Sequence, residues 1–165
     1  MLRPLFFLLA ILFLSGCAGP PDYVYRYRRG KTATLHGGVA AAPSQAPPRV
    51  RAAIAAGNRI AGHAYRYGGG HGRQVAPGYD CSGATSYILR EAGLMRGSMP
   101  SNGFRHYGKK GEGDWISVYA RKGHVFLVIA GLRYDTGWKR GPEGPGWTTQ
   151  RRPTRGYVVR HPARY

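Results

Sequence analysis

Cys81 lies between an aspartate and an amphipathic segment, a position well suited to nucleophilic chemistry. Asp80 is a residue type that caps helix N-termini, so we expect the sulfur in the first turn of a helix. A thiol attacks only as the thiolate, and the unpaired amides and dipole of a first turn favour negative charge. The same amides can hold an oxyanion, and we expect Gly83 to leave room for a substrate. The alternative is that Cys81 is a small buried apolar residue, a common role of cysteine.

A nucleophilic thiol needs a base, and His124 is the best placed of the six histidines. It opens the apolar run HVFLVIA (124–130), where a polar residue is otherwise hard to justify, although a satisfied core histidine is the alternative. If residues 130 and 131 form the turn to the next run, Asp135 shares a sheet face with His124 and lies diagonally across from it. Diagonal neighbours are about 7 to 8 Å apart at the backbone, so Asp135 is expected to orient the imidazole. A slip of one residue would turn Asp135 away, and a solvent-facing aspartate is the competing interpretation.

The elements that would position these residues follow an α+β pattern. Apolar residues recur at helical spacing between Val50 and Tyr65 and again between Cys81 and Ala92, where Gly93 is the expected C-cap. Four strand-like runs follow, at 115–120, 124–130, 132–136 and 156–161. The second run is apolar on both faces, as a central strand would be. Helices followed by an antiparallel sheet make an α+β domain over residues 49–165.

The N-terminus has the pattern of an exported protein. Residues 1–16 combine an early arginine, a short apolar run and small residues, which is typical of a secretory signal peptide. Residues 14–17, LSGC, resemble the lipobox of bacterial lipoproteins, in which the cysteine receives acyl chains, so Cys17 is the expected lipidation site; an ordinary signal peptide is the alternative. The resemblance implies a lipid-anchored protein of the cell envelope, and Ala18 indicates the outer membrane. Residues 17–48 show no periodicity and predict a disordered tether with a span of roughly 30 Å.

The chain is strongly basic. Its formal net charge is +18, and removal of residues 1–16 takes away one arginine, leaving +17. A chain with such an excess of positive charge is suited to bind nucleic acid or another anionic surface. Export favours lipid head groups and cell-wall carboxylates, so no nucleic-acid partner is expected. Because Cys17 would carry lipid, Cys81 would have no disulfide partner in the chain and would be a free thiol.

Four motifs together resemble the NlpC-type cysteine peptidases, which are papain-like enzymes that cut peptidoglycan stem peptides. They are YRYGGG, YDCSGATSYIL, GDW and GHVFLVIAGLRYDT, which occur in that order between residues 65 and 136. The resemblance implies a papain-like fold in which Cys81 is the nucleophile, His124 the base and Asp135 the third residue. It also implies that Tyr65 lines the site and that Ser82 helps to hold the substrate. The third position in that family is commonly histidine, asparagine or glutamine, so an aspartate departs from the pattern.

The predicted function is therefore hydrolysis of an amide in the peptide part of peptidoglycan. Two alternatives keep the same fold: a wall-binding scaffold or regulator that no longer cuts, and an acyl-transfer enzyme that uses the same three residues. No cofactor is expected. No metal is expected either, because His71 and His106 lack partners at the spacing of a metal site.

Overall fold

A mixed fold of two α-helices, two antiparallel sheets and one short parallel strand pair is seen in the computed structural model, which describes residues 20–137 and 143–165. The α-helices are α1 (Pro48–Ile60) and α2 (Cys81–Glu91), and a short 3-10 helix spans Gly103–His106. The strands are β1 (Thr34–His36), β2 (Val39–Ala41), β3 (Ala64–Tyr65), β4 (Gly78–Tyr79), β5 (Lys109–Lys110), β6 (Ile116–Arg121), β7 (His124–Ile129), β8 (Leu132–Asp135), β9 (Gly146–Thr148) and β10 (Val158–His161). The α+β prediction is confirmed at this level. Within the described ranges, no helix has the length and hydropathy needed to cross a bilayer.

The main sheet has six strands in the order β5-β10-β6-β7-β8-β9, and all of its pairings are antiparallel. Strand β7 lies inside this sheet between β6 and β8, as its two apolar faces predicted. Val125, Leu127 and Ile129 belong to the core shared with the helices. Phe126 points to the opposite face, where it packs with Tyr119 and Tyr157. The sheet therefore has a helix-covered face and an outer face with its own aromatic cluster.

Helix α2 has both of the end signals that the sequence predicted. The Asp80 side chain accepts a hydrogen bond from the Gly83 amide at 2.7 Å, which makes it the N-cap. At the other end Gly93 has a φ of +66°, and the Leu94 amide donates to the Leu89 carbonyl at 2.8 Å. This left-handed glycine satisfies the last carbonyls and ends the helix.

Residues 20–47 differ from the disordered tether that the sequence predicted for residues 17–48. The backbones of Tyr23 and Arg152 exchange two hydrogen bonds, at 2.9 and 3.1 Å. The Thr154 hydroxyl donates to the Pro20 carbonyl at 2.7 Å, and the Ala33 amide donates to the Ala130 carbonyl at 2.8 Å. The tether prediction is therefore wrong for this part of the chain, which is fixed by hydrogen bonds to distant residues. The signal peptide and Cys17 lie outside the described residues.

Gly83 leaves room for the backbone of another loop rather than for a substrate. A Cβ atom at Gly83 would lie 1.9 Å from the carbonyl oxygen of Gly69. Backbone cannot move aside cheaply, so we expect Gly83→Ala to lower the free energy of unfolding by about 3 kcal/mol, the upper part of the range for overpacking. Urea denaturation followed by circular dichroism measures this loss.

The matched control for this substitution is Gly72→Ala. A Cβ atom at Gly72 would meet nothing within 4 Å, so the same chemical change should leave the unfolding midpoint nearly unchanged. Equal stability of the two variants would show that the Gly69 loop does not press on the first turn of α2.

Candidate active site

Cys81 is the first residue of α2, where the sequence predicted it. Its side chain is partly exposed, and it is the free cysteine of the described part of the chain. The amide groups of the first helical turn have no partners within the helix, so this position favours a negative charge on the sulfur. The thiol is therefore both accessible and electrostatically suited to act as a nucleophile.

The hairpin between β7 and β8 has the predicted register. Ala130 and Gly131 form the turn with φ values of +47° and +74°, and Ile129 pairs with Leu132. Two positive φ values match a type I′ hairpin turn, which has two central residues. The Leu127–Tyr134 pair places the next residue, Asp135, opposite Phe126. Phe126 and His124 are two residues apart on one strand, so this register keeps Asp135 on the face of the sheet that carries His124.

His124 and Asp135 are in direct contact. The imidazole Nε2 and the carboxylate Oδ1 are 2.8 Å apart. Because Nε2 is engaged by the carboxylate, Nδ1 is the ring nitrogen that remains for another partner. The contact orients the imidazole, which is the arrangement expected from the sequence.

The surroundings of His124 favour its charged form. Burial alone lowers the pKa of His124, but the hydrogen bond to Asp135 and the interaction with Cys81, together with attraction to their charges, outweigh burial and raise it to about 9. The effect of Cys81 on this pKa means that the sulfur lies within electrostatic reach of the imidazole. At neutral pH the ring is therefore an imidazolium between a carboxylate and a sulfur.

Asp135 is held from its other side by groups that the sequence did not point to. Its side chain is fully buried, and its Oδ1 also accepts a hydrogen bond from the Thr136 amide at 2.8 Å. The guanidinium of Arg152 lies 3.3 Å from its Oδ2, and that of Arg133 lies 3.9 Å away. Arg152 belongs to a basic stretch near the C-terminus whose composition gave no sign of this contact.

Tyr65 and Ser82, the two predicted substrate-binding residues, have different surroundings. Burial raises the pKa of Tyr65, and the charges of Cys81 and Asp80 raise it further, so the phenol lies within electrostatic reach of the sulfur. Ser82 is buried, and its hydroxyl donates to Asp80 Oδ1 at 2.9 Å. The Ser82 hydroxyl thus supports the helix cap, and its role towards a substrate stays a prediction.

His71 is a neighbour of this cap that sequence reasoning missed. Its Nε2 lies 3.3 Å from Asp80 Oδ1 and 3.4 Å from the Ser82 hydroxyl, while its Nδ1 contacts Ser98. The histidine therefore ties the glycine-rich loop to the start of α2. Its loop offers no periodicity, so no sequence signal could have placed it there.

Comparison with family models and with curated proteins gives no match for this chain. The residues that the structure describes contain no group of three or more histidine, cysteine or acidic side chains placed to hold a metal ion. The geometry of the site and the motifs of the sequence are therefore the features that indicate a function.

Proposed function

We propose that this protein is a papain-like cysteine peptidase that hydrolyses amide bonds in peptidoglycan stem peptides. The observation that carries the proposal is a cysteine at a helix N-terminus that lies within electrostatic reach of an imidazole, which a buried carboxylate orients. Nucleophilic catalysis by cysteine needs this order of thiol, base and orienting group. The order of the sequence motifs, which resembles that of the NlpC-type peptidases, supplies the substrate class.

The reaction begins with attack of the Cys81 sulfur on the amide carbonyl carbon. The carbonyl oxygen becomes an oxyanion, which the unpaired amides of the first turn of α2 can stabilise. His124 then gives its proton to the amide nitrogen, the carbon–nitrogen bond breaks, and the amine leaves. The acyl group remains on Cys81 as a thioester.

Water completes the cycle. The neutral His124 takes a proton from the water molecule, whose oxygen attacks the thioester carbon, and the carbon–sulfur bond then breaks. The products are a carboxylic acid and the original thiolate beside an imidazolium. Asp135 keeps the same ring orientation through both steps, because its carboxylate remains bound to Nε2.

Charge and export support the choice of substrate. The chain carries 25 basic and 7 acidic residues, and peptidoglycan stem peptides are rich in carboxylates. The signal pattern and Cys17 favour a lipid-anchored protein of the cell envelope, with the catalytic domain on the periplasmic side of the outer membrane. The wall would then be the polymer that the site meets.

The decisive experiment is digestion of purified peptidoglycan in heavy-oxygen water, followed by mass spectrometry of the soluble fragments. The protein would begin at residue 17 and carry Cys17→Ser, which keeps every described residue and leaves Cys81 as the one thiol. Hydrolysis predicts fragments with a new amino group, and partner fragments with one heavy oxygen atom in the new carboxyl group. Transfer to an amine would give products without heavy oxygen and would contradict a hydrolase.

The matched control is the same protein after alkylation of Cys81 with iodoacetamide. It should release no fragments, while its circular dichroism spectrum remains that of the unmodified protein. If the unmodified protein binds peptidoglycan and releases nothing, the scaffold interpretation replaces the peptidase.

A further inference from the structure

The outer face of the main sheet carries a cavity of about 290 Å³ lined mainly by arginines, which we call the arginine pocket. Its lining residues are Arg121, Arg133, Arg151, Arg152, Pro153, Arg155 and Tyr157. They come from the end of β6, from β8 and from the segment before β10. The pocket thus gathers guanidinium groups from three separate parts of the chain.

Carboxylates compensate only part of this charge. Asp22 lies 2.6 Å from Arg151, and Asp135 lies 3.3 Å from Arg152. Two carboxylates beside five guanidiniums leave an excess of three positive charges. Asp135 also faces the imidazolium of His124, so its charge is shared further. An anion would be attracted strongly to such a cavity.

Arg133 is the most deeply buried member of the arginine pocket. Its side chain is 2% exposed, and its Nε and Nη1 have no hydrogen-bond partner in the described part of the chain. Its guanidinium lies 5.6 Å from the ring centre of Tyr23 and 5.9 Å from that of Phe126. Burial lowers the pKa of Arg133, yet a guanidinium stays charged at any physiological pH. A buried charge with an incomplete set of partners costs stability unless a counter-ion approaches it.

The exposed side of the pocket offers donors suited to an oxyanion. Arg121 lies over the ring of Tyr157 at 5.0 Å, and Arg152 donates to the Tyr157 hydroxyl at 3.0 Å. Because that hydroxyl accepts from Arg152, its own proton is available to an anion. Arg121 and Arg155 are exposed, and the paired N–H donors of their planar guanidinium groups match the spacing of carboxylate and phosphate oxygens.

We propose that the arginine pocket is a binding site for a phosphate group. The cavity has the volume of roughly ten water molecules, which is enough for a tetrahedral oxyanion. A phosphate with two negative charges neutralises most of the excess of three, whereas a single carboxylate neutralises one. The proposal does not depend on catalysis by Cys81, because the pocket lies beyond Asp135 and uses none of the reacting atoms.

Binding of inorganic phosphate to the full chain in nonionic detergent tests this proposal, with Cys81→Ala present so that turnover plays no part. At constant ionic strength, phosphate at about one hundred times its dissociation constant should raise the melting temperature by roughly 5 °C. Isothermal calorimetry should show one saturable site, and acetate should bind at least about ten-fold more weakly. If phosphate, acetate and chloride raised the melting temperature equally, the rise would come from general screening of the positive charges, and the proposal would be overturned.

Variants assign the binding to the arginine pocket. Arg121→Ala with Arg155→Ala should weaken phosphate binding by at least about ten-fold, because two of the five guanidiniums are lost. Arg96→Ala removes an exposed arginine outside the pocket and should leave the affinity unchanged. Unchanged affinity in the double variant would overturn the assignment, and both arginines are exposed enough for the variant to fold.

Two further measurements sharpen the test. Arg133→Met should abolish phosphate binding while its melting temperature in phosphate-free buffer stays at or above that of the parent. The substitution removes a buried guanidinium whose Nε and Nη1 lack hydrogen-bond partners in the described part of the chain, and Asp135 keeps His124 and Arg152. A phosphate effect that persists in a folded Arg133→Met protein would contradict the proposal. Glycerophosphoglycerol, a soluble lipid head group, distinguishes two sources of the bound phosphate. If it binds as tightly as inorganic phosphate, the ligand of the pocket is a phosphodiester of a lipid or polymer. If it binds more weakly, the ligand is a free phosphate.

Discussion

Cys81→Ala is expected to reduce the release of soluble fragments from purified peptidoglycan by at least about ten-thousand-fold, because the atom that forms the covalent intermediate is gone. The fold should survive. Cys81 is a partly exposed residue whose replacement removes one small side chain, and the cap on Asp80 uses the Gly83 amide and not the sulfur. The measurement is a digestion time course for both proteins, with thermal melting as the check on folding.

Cys81→Ser is the matched variant for this prediction. It keeps a side chain of similar shape at the start of α2, so it tests the need for sulfur rather than the need for packing. We expect it to be nearly as inactive as the alanine variant, since a hydroxyl is a much weaker nucleophile than a thiolate. Undiminished fragment release by Cys81→Ala would end the peptidase proposal.

His124→Gln is expected to lower the rate by about a thousand-fold, within the range for loss of a general acid and base. The wild-type rate should fall as pH rises through about 9, since the imidazolium must donate a proton to the leaving amine. Measuring the rate as a function of pH tests this decrease above neutral pH. A wild-type rate that stays constant from pH 7 to well above the pKa of His124 would contradict its role as the acid.

The same titration links His124 to stability. The pKa of the folded state, about 9, exceeds the ordinary value of 6.5, so the charged imidazole stabilises the fold fully below about pH 6.5. That contribution is lost as pH rises through about 9. Urea denaturation across this range should therefore show a falling free energy of unfolding in the wild type. His124→Gln should show a flatter dependence, because the titrating group is absent.

The parts of the site that the sequence predicted are those governed by local rules. Asp80 before a helical run indicated the cap of α2, and two residues between apolar runs indicated the hairpin turn. Once Ala130 and Gly131 form that turn, the two-residue period of strands places Asp135 on the face of His124. Turn length and strand periodicity were therefore enough to predict the contact.

The parts that the sequence did not predict depend on contacts between distant residues. The Tyr23 hydroxyl accepts from the amide of Arg133 and donates to the carbonyl of Gly131, more than one hundred positions along the chain. A segment rich in glycine, alanine and proline has no period that could reveal such contacts. The same holds for Arg152: the nearby basic residues Arg151 and Arg155 are exposed, while the guanidinium of Arg152 reaches a buried carboxylate.

The packing of residues 20–47 against the domain determines how far the site can act from a membrane. If Cys17 carries acyl chains, three residue steps separate the lipid from Pro20, whose carbonyl is bound to Thr154. Three residues span at most about 10 Å when extended, so the domain would lie close to the bilayer surface. Under the proposed function, its substrates would then be the stem peptides of the peptidoglycan that lies nearest to the lipid surface.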